Sequence, residues 1–151
     1  WLVDARIPYA AGCIGIAQEA VDMACGWVKQ RSVRGGALAD KQAIQWMIAD
    51  SEVELRAARL LVYEAASKVD AGERGKVDAS VCKLFGTEVA HRVVDRAIQM
   101  FGGMGVAQEM PLERWYRELR VKRIGEGPSE VHRMVISRDK LARTDGGVYF
   151  G

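Results

Sequence analysis

Apolar residues recur at every third or fourth position along three long stretches of the sequence, and this spacing limits the fold more than any other feature. The stretches cover residues 7–28, 44–69 and 77–101. Such spacing places apolar side chains along one side of an α-helix. In the third stretch these are Val77, Val81, Leu84, Val89, Val93, Ala97 and Phe101. Glycines end each stretch, so the sequence predicts three long helices joined by short loops.

Two shorter helices are predicted in the rest of the chain. Pro111 opens the first, which runs to Arg120, and the second runs from Ser129 to Leu141 after Gly127-Pro128. No strand is indicated. The predicted fold is therefore all-α, an up-and-down helical bundle of three long helices plus two shorter C-terminal helices. We expect one domain at residues 1–143 and a flexible tail at residues 144–151.

The charge balance argues against a charged macromolecule as partner. Lys and Arg number 22 against 20 Asp and Glu, so no nucleic-acid or membrane partner is expected. The sequence has no run of about 18 apolar residues, which is typical of a soluble protein. Cys13, Cys25 and Cys82 lack the spacing of metal ligands. We expect no metal site, and three reduced, buried cysteines in an intracellular protein.

Two loop segments carry residues that could bind a ligand. Arg31 and Arg34 could hold a diphosphate, because a guanidinium offers a planar fork of donors, although such arginines are commonly only solvated. The glycines within residues 101–105 would let a ligand approach the backbone. This cluster follows a helix, so a helix cap with a tight turn explains it as well. Both interpretations stay open for each segment.

Glu126 is the acid with the most distinctive neighbours, since it lies between Gly125 and Gly127 just before a helix. The two glycines are expected to leave its carboxylate unshielded and exposed. Such a group could abstract a proton, but an acid in this position is also favoured by the helix dipole alone. His91 and His132 have no second ligand at metal spacing and are interpreted as packing or surface residues.

Several segments together resemble the C-terminal domain of acyl-CoA dehydrogenases, from the first helix to Arg138. Each is weak alone, but their order and separations fit this family. They are Arg6 with residues 10–18, Gln30-Arg31, and residues 38–43, 58–61, 97–103 and 124–127. Within the family, acid-Gly-Pro followed by Glu-Val-His at residues 126–132 resembles a branch that is sometimes fused to a phosphotransferase-like domain.

The resemblance implies a flavoenzyme in which Glu126 removes the α-proton of an acyl-CoA thioester while a β-hydride passes to FAD. Arg6, Gly125 and Gly127 match positions beside the acyl-CoA. The implied contacts to the FAD of a neighbouring subunit are Arg31, Gln42, Gln99, Met100, Phe101, Gly102 and Gly103. Those implied to contact the subunit's own FAD are Pro128, Ser129 and Glu130.

Three residues depart from the family pattern. Gly125 stands where an aromatic residue usually precedes the base, so a wall of the acyl pocket is expected to be missing and a bulkier acyl chain to fit. Pro128 replaces a common Thr and has no N–H to donate. Arg34 stands where Phe is typical, so a charge replaces a stacking contact near the cofactor.

The resemblance also implies partners and further domains. The family has an N-terminal helical domain and a middle β-domain that this chain lacks, and the chain begins at Trp1 without Met. We therefore expect a fragment that is inactive alone. The family assembly implies a homo-oligomer, a dimer or tetramer, with an electron-transfer flavoprotein as electron acceptor. The implied compartment is the bacterial cytoplasm or the mitochondrial matrix.

Two alternative functions remain open at this point. An acyl-CoA oxidase-type flavoenzyme shares the helical domain, as do nitroalkane oxidases and flavin monooxygenases, although the monooxygenases lack the base. The second alternative is a non-catalytic helical oligomerisation domain. The presence of Glu126 together with Arg31 and Gln99 argues against it.

Overall fold

The computed structural model describes residues 2–73 and 75–144, so the expected flexible tail lies outside it except for Thr144. The α-helices of the described chain are α1 (Leu2–Gln30), α2 (Gln42–Asp70), α3 (Lys76–Phe101), α4 (Pro111–Lys122) and α5 (Ser129–Arg143). The all-α class is confirmed, with three long helices followed by two shorter ones.

The second long helix runs antiparallel to the third. Lys68, near the end of α2, forms an ion pair with Asp78 in the first turn of α3, with 2.7 Å between Nζ and Oδ1. Arg96, late in α3, reaches back to Glu54 in the first half of α2, also at 2.7 Å. The short connection between the two helices permits no other direction.

The third helix lies at the centre of the bundle and contacts each of the other four α-helices. It runs parallel to α1, because Gly86 meets Ala10 while Phe101 stacks on Trp27, with 5.1 Å between the ring centroids. A Cβ on Gly86 would lie 3.1 Å from the Cβ of Ala10. The missing side chain of Gly86 therefore lets α1 and α3 approach closely.

The buried side of α3 differs from the predicted stripe in its first half. Val77, Val81 and Leu84 were expected to face the core but are only half-buried. The buried residues of that segment are Ala79, Ser80, Cys82, Lys83, Gly86 and Thr87. The reason is the central position of α3. Because other helices pack on several of its sides, small and polar side chains that lie between α3 and these helices are buried as well as the apolar ones.

A short β-hairpin between α1 and α2 was missed by sequence reasoning. Its strands, β1 (Ser32–Val33) and β2 (Gly36–Ala37), pair antiparallel. Arg34 and Gly35 form the turn with φ of 51° and 80°, the positive values that tight hairpin turns require. Two-residue strands are too short to show an alternating pattern. The exposed Arg34 thus occupies the tip of a hairpin.

Smaller differences concern α1. The helix begins at Leu2, earlier than the apolar stripe, and includes Pro8, whose side chain is exposed. Cys25 is half-buried rather than buried because it lies at the edge of the packed side of α1, whereas Cys13 and Cys82 are buried as expected. Across the described residues, no helix combines the length and apolar character needed to cross a membrane.

Candidate active site

The turn between α4 and α5 holds Glu126 in a backbone conformation that residues other than glycine rarely adopt. The φ angle is 56° at Glu126 and 97° at Gly127. The left-handed conformation costs a non-glycine residue about 1–2 kcal/mol. Arg6 Nε donates to the Glu126 carbonyl oxygen at 3.2 Å, and Lys83 Nζ donates to the Gly127 carbonyl oxygen at 2.5 Å. Donors on α1 and α3 therefore hold the backbone of Glu126 in place.

The carboxylate of Glu126 is less accessible than its glycine neighbours suggest. The residue is half-buried, and Oε2 is buried without a hydrogen-bond partner among the described residues. The expectation of an exposed carboxylate is therefore wrong. Side chains from other elements pack against both glycines, with the Tyr9 hydroxyl against Gly125 and the His132 ring against Gly127. Buried polar atoms without partners are rare in proteins and call for an explanation such as a catalytic role. The hydrogen-bonding capacity of this oxygen is therefore unused among the described residues.

Lys83 is a residue of this turn's surroundings that sequence reasoning missed. It is fully buried on α3, and its hydrogen bond goes to a backbone carbonyl rather than to a carboxylate. Burial lowers the pKa of its ammonium group, and repulsion from Arg6 acts in the same direction. No sequence signal pointed to it, because Lys83 lies between Ala79 and Thr87 on a side of α3 that the predicted apolar stripe did not include.

His132 borders the same turn from α5. Its side chain is fully buried, and Nε2 lies 3.2 Å from the position that a Cβ on Gly127 would take. Neither ring nitrogen makes a hydrogen bond of good geometry among the described residues, although the backbone of Glu126 and Gly127 lies close enough to act on the pKa of the ring in the raising direction. Burial lowers the pKa of this imidazole, and the charges of Lys83 and Arg6 lower it further. His132 is thus a packing residue, one of the two roles that the sequence suggested.

The buried imidazole of His132 predicts a loss of stability in mild acid. Its pKa is depressed below the ordinary value of 6.5 in the folded chain. Between these two pKa values the unfolded chain binds the proton and the folded chain does not, so protonation favours unfolding. The contribution of the neutral imidazole to the free energy of unfolding is fully present above the unfolded pKa, and it is lost as the pH falls through the folded pKa. We expect a lower urea midpoint at about pH 5 than at about pH 7.5, and a smaller difference in His132→Met.

The other histidine supplies the comparison for this measurement. Burial also lowers the pKa of His91, whose ring packs on Tyr116 with 4.4 Å between centroids. His132→Met alone should therefore remove part of the pH dependence of the urea midpoint. His91→Gln together with His132→Met should remove more of it. Equal pH dependence in the wild type and the double variant would contradict the prediction.

A cavity of about 520 Å³ lies at the opposite end of the bundle, where α1 and α3 end. Two of its aromatic walls, Trp27 and Phe101, stack with an interplanar angle of 13°. The lining residues are Trp27, Arg31, Val33, Leu38, Ile44, Gln99, Met100, Phe101, Gly102, Gly103 and Met104. All but one of the residues expected to contact a neighbouring subunit's flavin are in this group. The exception is Gln42, the first residue of α2.

Glycines shape the turn that closes α3 beside this cavity. Gly102 ends the helix with φ 64°, and a short 3₁₀ helix follows at Gly102–Val106. A Cβ on Gly105 would lie 2.7 Å from the carbonyl oxygen of Ile98, so only glycine fits there. A Cβ on Gly102 or Gly103 would meet nothing within 4 Å. The cap-and-turn interpretation is confirmed, and the backbone at Gly102 and Gly103 has open space for a ligand.

The structure separates the expected flavin contacts into two groups. Pro128, Ser129 and Glu130 adjoin Glu126 at the start of α5, and that turn is tied to Lys83. Phe101 marks the cavity at the end of α3. The rise of about 1.5 Å per residue places roughly 27 Å of helix between Lys83 and Phe101. The turn of Glu126 and the cavity are therefore separate sites on one chain.

Comparison with known proteins gives the same family for the sequence and for the fold. Residues 2–141 match the family described as acyl-CoA dehydrogenase, C-terminal domain. The 3-(aryl)acrylate reductase of Clostridium sporogenes is 46% identical over 136 residues, covering 90% of this chain and 36% of that protein. The caffeyl-CoA reductase-Etf complex subunit CarC of Acetobacterium woodii is 43% identical over 132 residues, covering 87% and 35%.

A solved structure agrees with these sequence matches. Butyryl-CoA dehydrogenase from Megasphaera elsdenii superimposes with a TM-score of 0.90 at 39% identity, covering 93% of this chain and 37% of that one. The chain thus spans about a third of the length of the curated relatives it matches.

Proposed function

Because the chain belongs to the acyl-CoA dehydrogenase family, matching its C-terminal domain, we propose that the full-length protein dehydrogenates an acyl-CoA thioester with Glu126 as the base. The turn of Glu126 carries this proposal. It presents a half-buried carboxylate with an unpartnered oxygen, on a backbone held in a left-handed conformation by Arg6 and Lys83. Such conformations persist where the surrounding structure imposes them, and they cluster at active sites.

In this proposal, Glu126 takes a proton from the α-carbon of the thioester. The negative charge that develops on the thioester oxygen needs hydrogen-bond donors, and in this proposal the backbone N–H of Glu126 is one of them. Arg6 lies beside the same turn, with Nη2 3.6 Å from the Cβ position of Gly127. The FAD, when bound, supplies the acceptor for the hydride that leaves the β-carbon. The α,β double bond forms as both hydrogens depart.

The separation of the two groups of flavin contacts supports a homo-oligomer. The residues lining the cavity would hold one FAD, since open space faces Gly102 and Gly103 and Arg31 offers its guanidinium to a diphosphate. Pro128 and Ser129, beside the base, would contact another. Each chain then contributes one edge to two flavin sites. Such sharing requires at least a dimer, and it leaves a single chain without a complete site.

The outer side of α2 gives independent support for association. Trp46, Val53 and Leu60 follow one another at seven-residue intervals, and all are exposed, as is Tyr63. Residues at this interval lie on the same side of a helix. An apolar stripe of this kind marks a surface that other chains can cover. We take it as one interface of the proposed dimer or tetramer.

An electron-transfer flavoprotein is the electron acceptor in this proposal, and the Acetobacterium relative, named as part of a reductase-Etf complex, supports it. Both of the curated relatives described above are named as reductases. The same proton and hydride transfers, run in reverse, would reduce an enoyl thioester, so the net direction depends on the electron partner. The proposed compartment is the bacterial cytoplasm or the mitochondrial matrix.

The proposed function is tested with the full-length protein and its bound flavin. Mixing with excess acyl-CoA in the absence of oxygen is expected to bleach the blue absorbance band of the flavin within the dead time of manual mixing. In air, the reduced flavin should reoxidise slowly without an electron-transfer flavoprotein. Rapid formation of hydrogen peroxide would indicate an oxidase instead. A flavin that stays oxidised with every thioester, across straight, branched and cyclic acyl groups, would contradict the proposal.

A further inference from the structure

Tyr9 and residue 125 compete for one volume beside the turn of Glu126. A Cβ built on Gly125 would lie 2.8 Å from the Tyr9 hydroxyl oxygen and 3.9 Å from Tyr9 Cζ. The first distance is shorter than real Cβ contacts allow, so the present position of Tyr9 requires glycine at 125. The φ of Gly125 lies outside the left-handed region, which means that the backbone itself would accept a side chain. The tyrosine side chain, and not the backbone, excludes other residues at this position.

Burial and a cation–π contact both stabilise the position of Tyr9. Tyr9 is half-buried on α1, and the ammonium group of Lys122 on α4 lies 4.5 Å from the centroid of its ring. An ammonium over an aromatic face is favourable by about 0.5–1 kcal/mol or more. Burial raises the pKa of the Tyr9 hydroxyl, and the charges of Cys13 and Glu126 raise it further.

A base must reach the carbon whose proton it removes, so side chains that flank the base also flank the reacting end of the substrate. Tyr9 packs against Gly125, the residue directly before the base, and occupies the space that a side chain at residue 125 would take. Resting on the proposed function, we propose that Tyr9 is a specificity-determining residue that forms the wall of the acyl site beside the base, in place of the side chain missing at residue 125. The opening expected from Gly125 is therefore closed by a residue from another helix.

A pair of substitutions in the full-length enzyme tests this role, because it removes the aromatic side chain at residue 9 of α1 and adds one at residue 125 of the turn. Tyr9→Val removes the ring and is expected to raise kcat/KM for cyclohexanecarbonyl-CoA relative to butanoyl-CoA by at least about 10-fold, the usual effect of changing pocket volume. Gly125→Tyr alone should clash with Tyr9 and lower activity with both thioesters. The double variant Tyr9→Val with Gly125→Tyr should regain activity with a ratio near that of the wild type.

Two further variants serve as controls. One tests the hydroxyl of Tyr9 separately from its ring, and the other tests whether any loss of a surface side chain changes the substrate ratio. Tyr9→Phe keeps the ring, so its substrate ratio should stay within about 3-fold of the wild type. Leu141→Ala removes an exposed apolar side chain from the last turn of α5, away from the turn of Glu126, and should leave the ratio unchanged. Urea unfolding of each variant gives a second readout, because the double variant should be more stable than Gly125→Tyr alone if the two side chains compete for space.

The outcomes distinguish this inference from the proposed function. A wild-type enzyme whose flavin is not reduced by any thioester contradicts the proposed function. An active wild type in which Tyr9→Val leaves the substrate ratio unchanged, as Leu141→Ala does, contradicts only the role of Tyr9. A double variant no more active and no more stable than Gly125→Tyr also overturns the inference.

Discussion

Replacing Glu126 with Gln in the full-length enzyme is expected to lower the rate of flavin reduction by about 10³- to 10⁴-fold while the flavin stays bound. A glutamine amide has nearly the size of the carboxylate but does not accept a proton from carbon, and loss of a positioned base has an effect of this order. The backbone hydrogen bonds from Arg6 and Lys83 go to the carbonyl oxygens of Glu126 and Gly127, so the substitution leaves them intact. Rapid-mixing absorbance with excess acyl-CoA measures the rate.

The control for Glu126→Gln is Glu109→Gln, which changes an exposed acid in the loop before α4 in the same way. It should reduce its flavin at the wild-type rate. If Glu126→Gln reduces its flavin as fast as this control, the base is another residue. Loss of flavin from Glu126→Gln would point to a binding role in place of proton transfer.

Lys83→Met in the full-length enzyme is expected to lower kcat about 10²-fold with a much smaller change in KM. The substitution removes the donor to the Gly127 carbonyl oxygen, so the turn is free to relax from the left-handed conformation of Glu126. A displacement of about 1 Å at a catalytic group is enough for a loss of this size. Steady-state kinetics at saturating and limiting acyl-CoA separates kcat from KM.

The free energy of unfolding of Lys83→Met should change less than its kcat does. Losing one partner of a buried hydrogen bond costs about 1–3 kcal/mol, but methionine also relieves the burial of a charge, and the two effects oppose each other. Lys83→Arg keeps a cationic donor and should recover part of the activity. Lys76→Met changes an exposed lysine at the start of the same helix and should alter neither quantity. Wild-type kcat in Lys83→Met would show that the turn holds its shape without the ammonium group.

The sequence by itself determined the helices of this protein, because apolar spacing and helix breaks are local properties of the chain. The predicted end of α3 at Phe101 and the predicted start of α4 at Pro111 are both observed. The motifs around Glu126 and Gly102 identified the family, since each is a contiguous run of residues, and the family match confirms it. The roles assigned to individual site residues remain predictions that the proposed variants test.

The tertiary structure alone decided what surrounds Glu126. Lys83 meets Gly127 and Tyr9 meets Gly125 across long separations in the chain, and no local pattern encodes such a pair. The spacing of apolar residues shows that a helix has a buried side, but the number and direction of its neighbours decide how wide that side is. For this reason Lys83 was missed on α3, and the exposure expected for Glu126 was wrong. The conformation of a turn between two glycines depends on the groups that hold it, and here those groups come from α1 and α3.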